Sequence, residues 1–290
     1  MRVFVTGITG TIGPHLSSWL SRHDVLCLCR KSSSPVDSRF QILPGDLDEP
    51  ESYRDALQRF RPESCIHLGW SGIPDYSLHH CSSSLVAGLH LFEALGRAGC
   101  RRVFASGTCW EYGKLVGPVA EDARAEALSL FPAFKSALQI TGQSICEQFG
   151  IQLLWGRLFF VYGPGQRTTS LIPSCYRSFK AGLAPKISNP LAVNDFVHVS
   201  DVSEGIRTLI EGDVSGGIYN IGSGKPVPVW EIVNLVAEQM GISPVYHDMG
   251  PSSCGFWADI KKSYAAGLSA RVTLQDGIAQ SVSAMDLAND

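Results

Sequence analysis

Five short apolar runs, at residues 3–6, 25–29, 65–68, 103–106 and 153–158, are each separated by a segment of helical length, and this rhythm governs what the chain can become. Apolar runs this short suit strands buried on both faces, the pattern of a parallel sheet. The segments between them predict helices over 14–22, 52–60, 82–98 and 131–148. Pro14 suits a first helical turn, where its missing N–H costs no helical hydrogen bond. Right-handed strand, helix, strand crossovers then place helices on both faces, so the expected class is α/β with a doubly wound parallel sheet. After Gly163-Pro164-Gly165 the rhythm loosens. It returns with a strand at 196–199, a helix at 201–210, a strand at 218–221 and a helix at 228–240. The expected organisation is a larger domain over 1–162 that regains segments near 194–222, and a smaller one formed mainly by 163–290.

Composition narrows the function. With 290 residues, 44% hydrophobic and 18% charged, the chain can bury a sizeable core and is too apolar to stay disordered. The net charge is −3, and basic residues cluster only as the pairs Arg30-Lys31, Arg101-Arg102 and Lys261-Lys262, so no nucleic-acid or anionic-membrane footprint is present. No apolar run has membrane-spanning length and the first residues lack a signal-peptide pattern, which predicts a soluble, cytoplasmic protein. Nine cysteines occur without a CxxC pair or histidines at metal-ligand spacing, so reduced, packed thiols are expected, with no metal site.

The first strand runs straight into Thr6-Gly7-Ile8-Thr9-Gly10-Thr11-Ile12-Gly13, which opens the first helix. Glycines in that context let backbone amides approach a pyrophosphate at a helix N-terminus, where unpaired N–H groups and the helix dipole favour negative charge. A tight turn needed only for packing is the plainer reading. The second strand ends Cys29-Arg30-Lys31, where an NAD-selective site places an acid against the ribose hydroxyls. Arg30 and Lys31 suit a 2′-phosphate instead, so NADP is expected, with NAD as the alternative. Two basic side chains that merely face water remain the competing account.

These glycines resemble the extended short-chain dehydrogenase/reductase family, in its NAD(P)-dependent sugar-nucleotide epimerase, dehydratase and ketoreductase branch. Arg157-Leu158-Phe159-Phe160-Val161-Tyr162-Gly163-Pro164 and Asp195-Phe196-Val197-His198-Val199-Ser200-Asp201-Val202 carry the same likeness. Tyr219-Asn220-Ile221-Gly222-Ser223-Gly224 and Ala258-Asp259 continue it in order, over nearly the whole chain. The resemblance implies a Rossmann-type fold with a small C-terminal substrate-binding cap, hydride transfer at a nicotinamide, a sugar-nucleotide substrate and a homodimer. It implies cofactor contacts at Gly7, Thr9, Gly10, Thr11, Ile12, Gly13, Leu68, Gly69 and Lys135, with Asp46 and Leu47 near the adenine. Substrate contacts are implied at Trp70, Thr108, Cys109, Phe160 and Arg177.

The family's reaction centre is a Ser or Thr after the fifth strand, a Tyr, and a Lys four residues beyond the Tyr. Thr108 and Lys135 match, which puts Phe131 in the tyrosine position, one helical turn from Lys135 on the same face. A rival register would put Ala133 and Ala137 at the catalytic positions, at a shorter distance from Arg157. In the family the phenol is the general acid/base, and the lysine lowers its pKa and binds the nicotinamide ribose. Phe131 keeps the ring and loses the proton, which implies binding with poor turnover. Retention of Thr108 and Lys135 favours a deliberate Tyr-to-Phe exchange over natural divergence as its origin. Glu111, Tyr112 and Cys109 are read as pocket-wall residues, and His67 and His198 as structural. Phe160 and Asn194 stand where the family commonly has Asn and Arg, and no Arg occurs over 251–256. The expected activity is NADP-linked reduction of a nucleotide-linked 4-keto-6-deoxysugar. Alternatives are a sugar-nucleotide epimerase or dehydratase, and, from another class, a non-catalytic cofactor-binding regulatory protein.

Overall fold

The computed structural model describes residues 1–30, 37–247, 249 and 255–288; Lys31 and residues 251–254 lie outside the described residues. In chain order the strands are β1 (Arg2–Thr6), β2 (Asp24–Cys29), β3 (Gln41–Pro44), β4 (Ser64–His67), β5 (Arg102–Thr108), β6 (Gly117–Val119), β7 (Gln152–Leu158), β8 (Phe160–Tyr162), β9 (Val193–His198), β10 (Gly217–Ile221), β11 (Pro226–Pro228) and β12 (Phe256–Ala258). The α-helices are α1 (Ser17–Leu20), α2 (Arg54–Phe60), α3 (Leu78–Arg97), α4 (Leu130–Gln148), α5 (Leu171–Lys180), α6 (Val199–Glu211), α7 (Val229–Gln239), α8 (Lys261–Ala265) and α9 (Leu274–Leu287). Among the described residues no helix is long and apolar enough to cross a membrane.

The chain divides into two compact units. The first comprises Met1–Gly113, Ala123–Leu158 and Ser203–Tyr219. Its seven-stranded sheet has the order β10-β7-β5-β4-β1-β2-β3, with β1 paired in parallel to β2 on one side and to β4 on the other. The apolar runs read from the sequence are these strands, buried along nearly their whole lengths in β1, β2 and β4. Phe4, Leu26, Tyr53, Leu57, Phe92, Leu95, Leu138 and Trp155 belong to one continuous core. Burying a side chain of this size contributes about 1.5–3 kcal/mol, which is what holds the helices to the sheet. The expected first helix is shorter than its pattern: a 3-10 turn over Gly13–Leu16 leads into the four residues of α1. Serines explain the early stop, since Ser21 Oγ donates to the Ser18 carbonyl and competes with helical continuation. The cysteines at 27, 29, 65, 81, 100, 109, 146 and 175 are buried thiols. Burial pushes the Cys27 and Cys100 thiols up to about 12, so they stay protonated.

The second unit comprises Lys114–Asp122, Phe159–Val202 and Asn220–Asp290. It holds a three-stranded sheet, β11-β9-β8, a two-stranded β12-β6 pair, and a core that includes Tyr162, Ile172, Tyr176, Phe179, Ile232, Val236 and Ile278. Helices α5 and α9 were not expected from the apolar rhythm. Pro173 stands three residues into α5, in the first turn, where a missing N–H breaks no helical bond. Asp195 organises the unit's centre, accepting from the Ser223 amide at 2.7 Å, the Ser223 hydroxyl at 2.6 Å, the Gly224 amide at 2.9 Å and the Ala258 amide at 3.1 Å.

Candidate active site

In an open parallel sheet, ligands bind beyond the carboxyl ends of the strands where the strand order reverses. Here that point is the end of β1, between β2 and β4. Gly7 follows it with φ +76°, and a Cβ there would lie 2.6 Å from the Gly69 nitrogen, so the backbones after β1 and β4 touch. The Gly10 amide closes the turn on the Gly7 carbonyl at 3.0 Å, while Thr9 and Gly10 stay exposed. Exposed backbone held open by glycine fits a pyrophosphate cradle. Thr6 Oγ1 accepts from the Gly69 amide at 3.2 Å and lies 2.8 Å from His67 Nδ1. Burial, then the charge of Lys135, pushes His67 down to about 3, so it is neutral. Leu47 reaches the same place, since a Cβ on Gly69 would meet its side chain at 3.4 Å. Gly7→Ala is expected to destabilise the first unit by about 1–2 kcal/mol from the left-handed backbone alone, and more from the Gly69 clash, read as a lower midpoint in urea unfolding.

Beside this turn, α4 presents Phe131 and Lys135 on one buried face, 8% and 4% exposed, while Ala133 of the rival register is exposed. Lys135 Nζ donates to the Ser106 carbonyl of β5 at 2.6 Å. It also stands 4.1 Å from the Trp70 ring centre and 5.9 Å from that of Phe131. Burial pushes the ammonium down to about 7, against the opposing pull of Glu111. Phe131 is caged by aromatic rings: Tyr76 at 4.7 Å, Trp70 at 5.6 Å and Trp110 at 6.1 Å. Thr108 ends β5 and caps the short 3-10 helix Cys109–Tyr112, its hydroxyl accepting from the Trp110 amide at 3.3 Å.

Beneath Thr108 lies a charged pair. Glu111 is fully buried and accepts from Arg157 Nε at 2.8 Å, from Trp155 Nε1 at 3.1 Å and from the Thr108 amide at 2.8 Å. The Arg157 guanidinium sits 4.3 Å over the Tyr112 ring. Burial works against its charge, and Glu111 with Tyr112 more than offsets that, so Arg157 lies above its ordinary value. Reading Glu111 as a pocket wall was wrong: its carboxylate has no exposed surface. Cys109 is likewise buried, at 3% exposure.

The structure thus brings together, in the first unit, the glycine turn, Leu47, Leu68, Gly69, Trp70 and the Thr108, Phe131, Lys135 group. Asp46 Oδ1 accepts from the Asp48 amide at 3.2 Å, shaping the turn that carries Leu47. Arg30 is exposed at the end of β2. Phe160 and Arg177 belong to the second unit. Phe160 packs on Phe196 at 5.8 Å, and exposed Arg177 donates to the Thr168 carbonyl at 2.9 Å beside a cavity of about 270 Å³ that Gln166 and Tyr176 also line. Sequence reasoning missed Tyr76 and Trp110 as walls of the Phe131 cage. Trp110 was within reach of inference, being two residues beyond Thr108; Tyr76 lies in a loop with no periodic signal.

Comparison with known proteins agrees with this geometry. The sequence model of the NAD dependent epimerase/dehydratase family matches residues 3–222. A GDP-6-deoxy-D-mannose reductase of Pseudomonas aeruginosa is 30% identical over 258 residues, covering 82% of this chain and 79% of that protein. The solved structure of MoeE5 in complex with UDP-glucuronic acid and NAD superposes with a TM-score of 0.86 at 25% identity, over 99% of this chain and 100% of the other. A UDP-glucose 4-epimerase of Thermotoga maritima, solved with UDP-glucose, shares the fold with a TM-score of 0.90 at 21% identity, over the full length of both chains. A Rossmann-type sheet, a glycine turn at its switch point and matched motifs over most of the sequence lead to one assignment: this chain belongs to the NAD dependent epimerase/dehydratase family, whose members include sugar-nucleotide epimerases, dehydratases and reductases.

Proposed function

We propose that the protein is an NADP-linked reductase of a nucleotide-linked 4-keto-6-deoxysugar, slowed as it stands because Phe131 occupies the place of the proton donor. The observation that carries the reading is the pairing of Phe131 with buried Lys135 on one face of α4, beside the Ser106–Thr108 strand end. The likeness to a GDP-6-deoxy-D-mannose reductase supports the substrate class. When bound, the cofactor supplies the hydride. The glycine turn holds its pyrophosphate, and Arg30, at the end of β2 with no acid beside it in the sequence, meets a 2′-phosphate. Lys135 holds the nicotinamide ribose through its ammonium. Thr108 Oγ1 donates to the sugar oxygen that gains charge as hydride arrives. Trp70, Tyr76 and Trp110 keep water from the reacting face, and Phe131 closes it with a ring that has no proton to give.

Fluorescence titration with NADPH and NADH tests the cofactor half. NADPH is expected to bind at least about tenfold more tightly, an advantage of about 1.4 kcal/mol or more, and Arg30→Ala is expected to remove most of that preference. Equal affinity for both coenzymes in the unaltered protein would overturn the role given to Arg30. Epimerisation is favoured as a second reading by the match to the NAD dependent epimerase/dehydratase family. Product analysis separates the two, because an epimerase returns its hydride and consumes no coenzyme, whereas a reductase oxidises one equivalent per turnover.

A further inference from the structure

We propose that Glu111 is a positioning residue whose carboxylate, fixed by Arg157, holds the strand end that carries Thr108 and the Ser106 carbonyl on which the Lys135 ammonium rests. The inference rests on the roles given above to Thr108 and Lys135.

Three consecutive residues at the end of β5 are tied to the two charged groups. The Ser106 carbonyl takes the Lys135 ammonium at 2.6 Å, and the Thr108 amide donates to Glu111 Oε1 at 2.8 Å. Between them, a Cβ on Gly107 would stand 2.5 Å from Glu111 Oε1 and 2.2 Å from Trp155 Nε1, so glycine is what lets the cluster reach the strand. A carboxylate without exposed surface persists as an anion only with partners, and Arg157 Nε, Trp155 Nε1 and the Thr108 amide supply them.

The groups that face Lys135 come from several elements. Trp70 and Phe131 offer rings, β5 a carbonyl, β4 the neutral His67, α3 the Cys81 thiol and the 3-10 helix Glu111. Burial pushes the Cys81 thiol upward, so it is uncharged near neutrality. Among these described neighbours Glu111 is the one that carries a negative charge opposing the loss of the lysine proton, and the Arg157 guanidinium bound to it offsets part of that pull. Its carboxylate therefore does two things at once, fixing a backbone amide next to the reacting oxygen and sustaining the cation that holds the ribose.

The test is the titration of Lys135 in the full chain, followed by the lysine ¹³Cε resonance and assigned by its absence from the spectrum of Lys135→Met. Glu111→Gln keeps the size and the hydrogen-bond acceptor while removing the charge. The Lys135 midpoint is expected near neutral pH in the unaltered protein and about one pH unit lower in Glu111→Gln. A midpoint that stays within a few tenths of a unit would overturn the proposal, as a purely structural role for Glu111 leaves Lys135 unmoved. Should Glu111→Gln not fold, Arg157→Gln, which keeps a donor to Glu111 but removes the neutralising cation, is titrated instead: the Lys135 midpoint is expected to rise, and an unmoved midpoint would overturn the proposal. A parallel NADPH and NADH titration keeps two failures apart: a protein that takes up neither coenzyme overturns the function proposed above, while the lysine titration still decides the role of Glu111.

Discussion

Phe131→Tyr is expected to raise coenzyme-dependent turnover of a keto-deoxysugar nucleotide by about 10²–10⁴-fold, the usual contribution of a positioned general acid. The ring is already in place, since Phe131 is 8% exposed and fixed by contacts with Trp70, Tyr76 and Trp110. A phenol added there would sit near Lys135, whose ammonium favours the phenolate and eases proton exchange with the sugar oxygen. Coenzyme affinity should change little, because Lys135 and the glycine turn are untouched. Steady-state coenzyme oxidation checks this, and rates equal to those of the unaltered chain across candidate sugar nucleotides would end the assignment of Phe131 to the proton-donor position. Unchanged binding with no turnover would instead favour a cofactor-binding regulatory protein.

Arg157→Met is expected to cost about 3–5 kcal/mol of folding stability, the range for removing one partner of a buried ion pair. The loss comes less from the missing attraction than from Glu111, which has no exposed surface and, among the described residues, would be left with the Trp155 and Thr108 N–H groups. Chemical unfolding monitored by circular dichroism provides the number. A loss below about 1 kcal/mol, the range of an exposed pair, would mean that water reaches Glu111 in solution.

The sheet was legible because strands buried on both faces leave continuous apolar runs, and the runs at 3–6, 25–29 and 65–68 became β1, β2 and β4 within a residue. The glycine turn was legible for a related reason: few residues tolerate the backbone of Gly7, so chemistry and geometry coincide in one letter. Phe131 and Lys135 could be placed because a spacing of four marks one face of a helix. Other features leave no periodic trace. Glu111 sits between exposed Trp110 and buried Tyr112 in a 3-10 helix, where no pattern tells which way an acid points, and its partner Arg157 is remote in sequence. Helix α9 was missed for want of apolar period, although Thr273 with Asp276 three residues on is a capping signature that could have marked its start.

The contact between the Lys135 ammonium and the Trp70 ring, 4.1 Å apart, gives the molecule an optical gauge of its own electrostatics. An indole is a sensitive emitter, and a cation held over its face perturbs that emission until the cation gives up its proton. Intrinsic fluorescence should therefore carry an inflection belonging to this one lysine, visible without labels, and the same indole would brighten or dim as molecules arrive at the neighbouring rings.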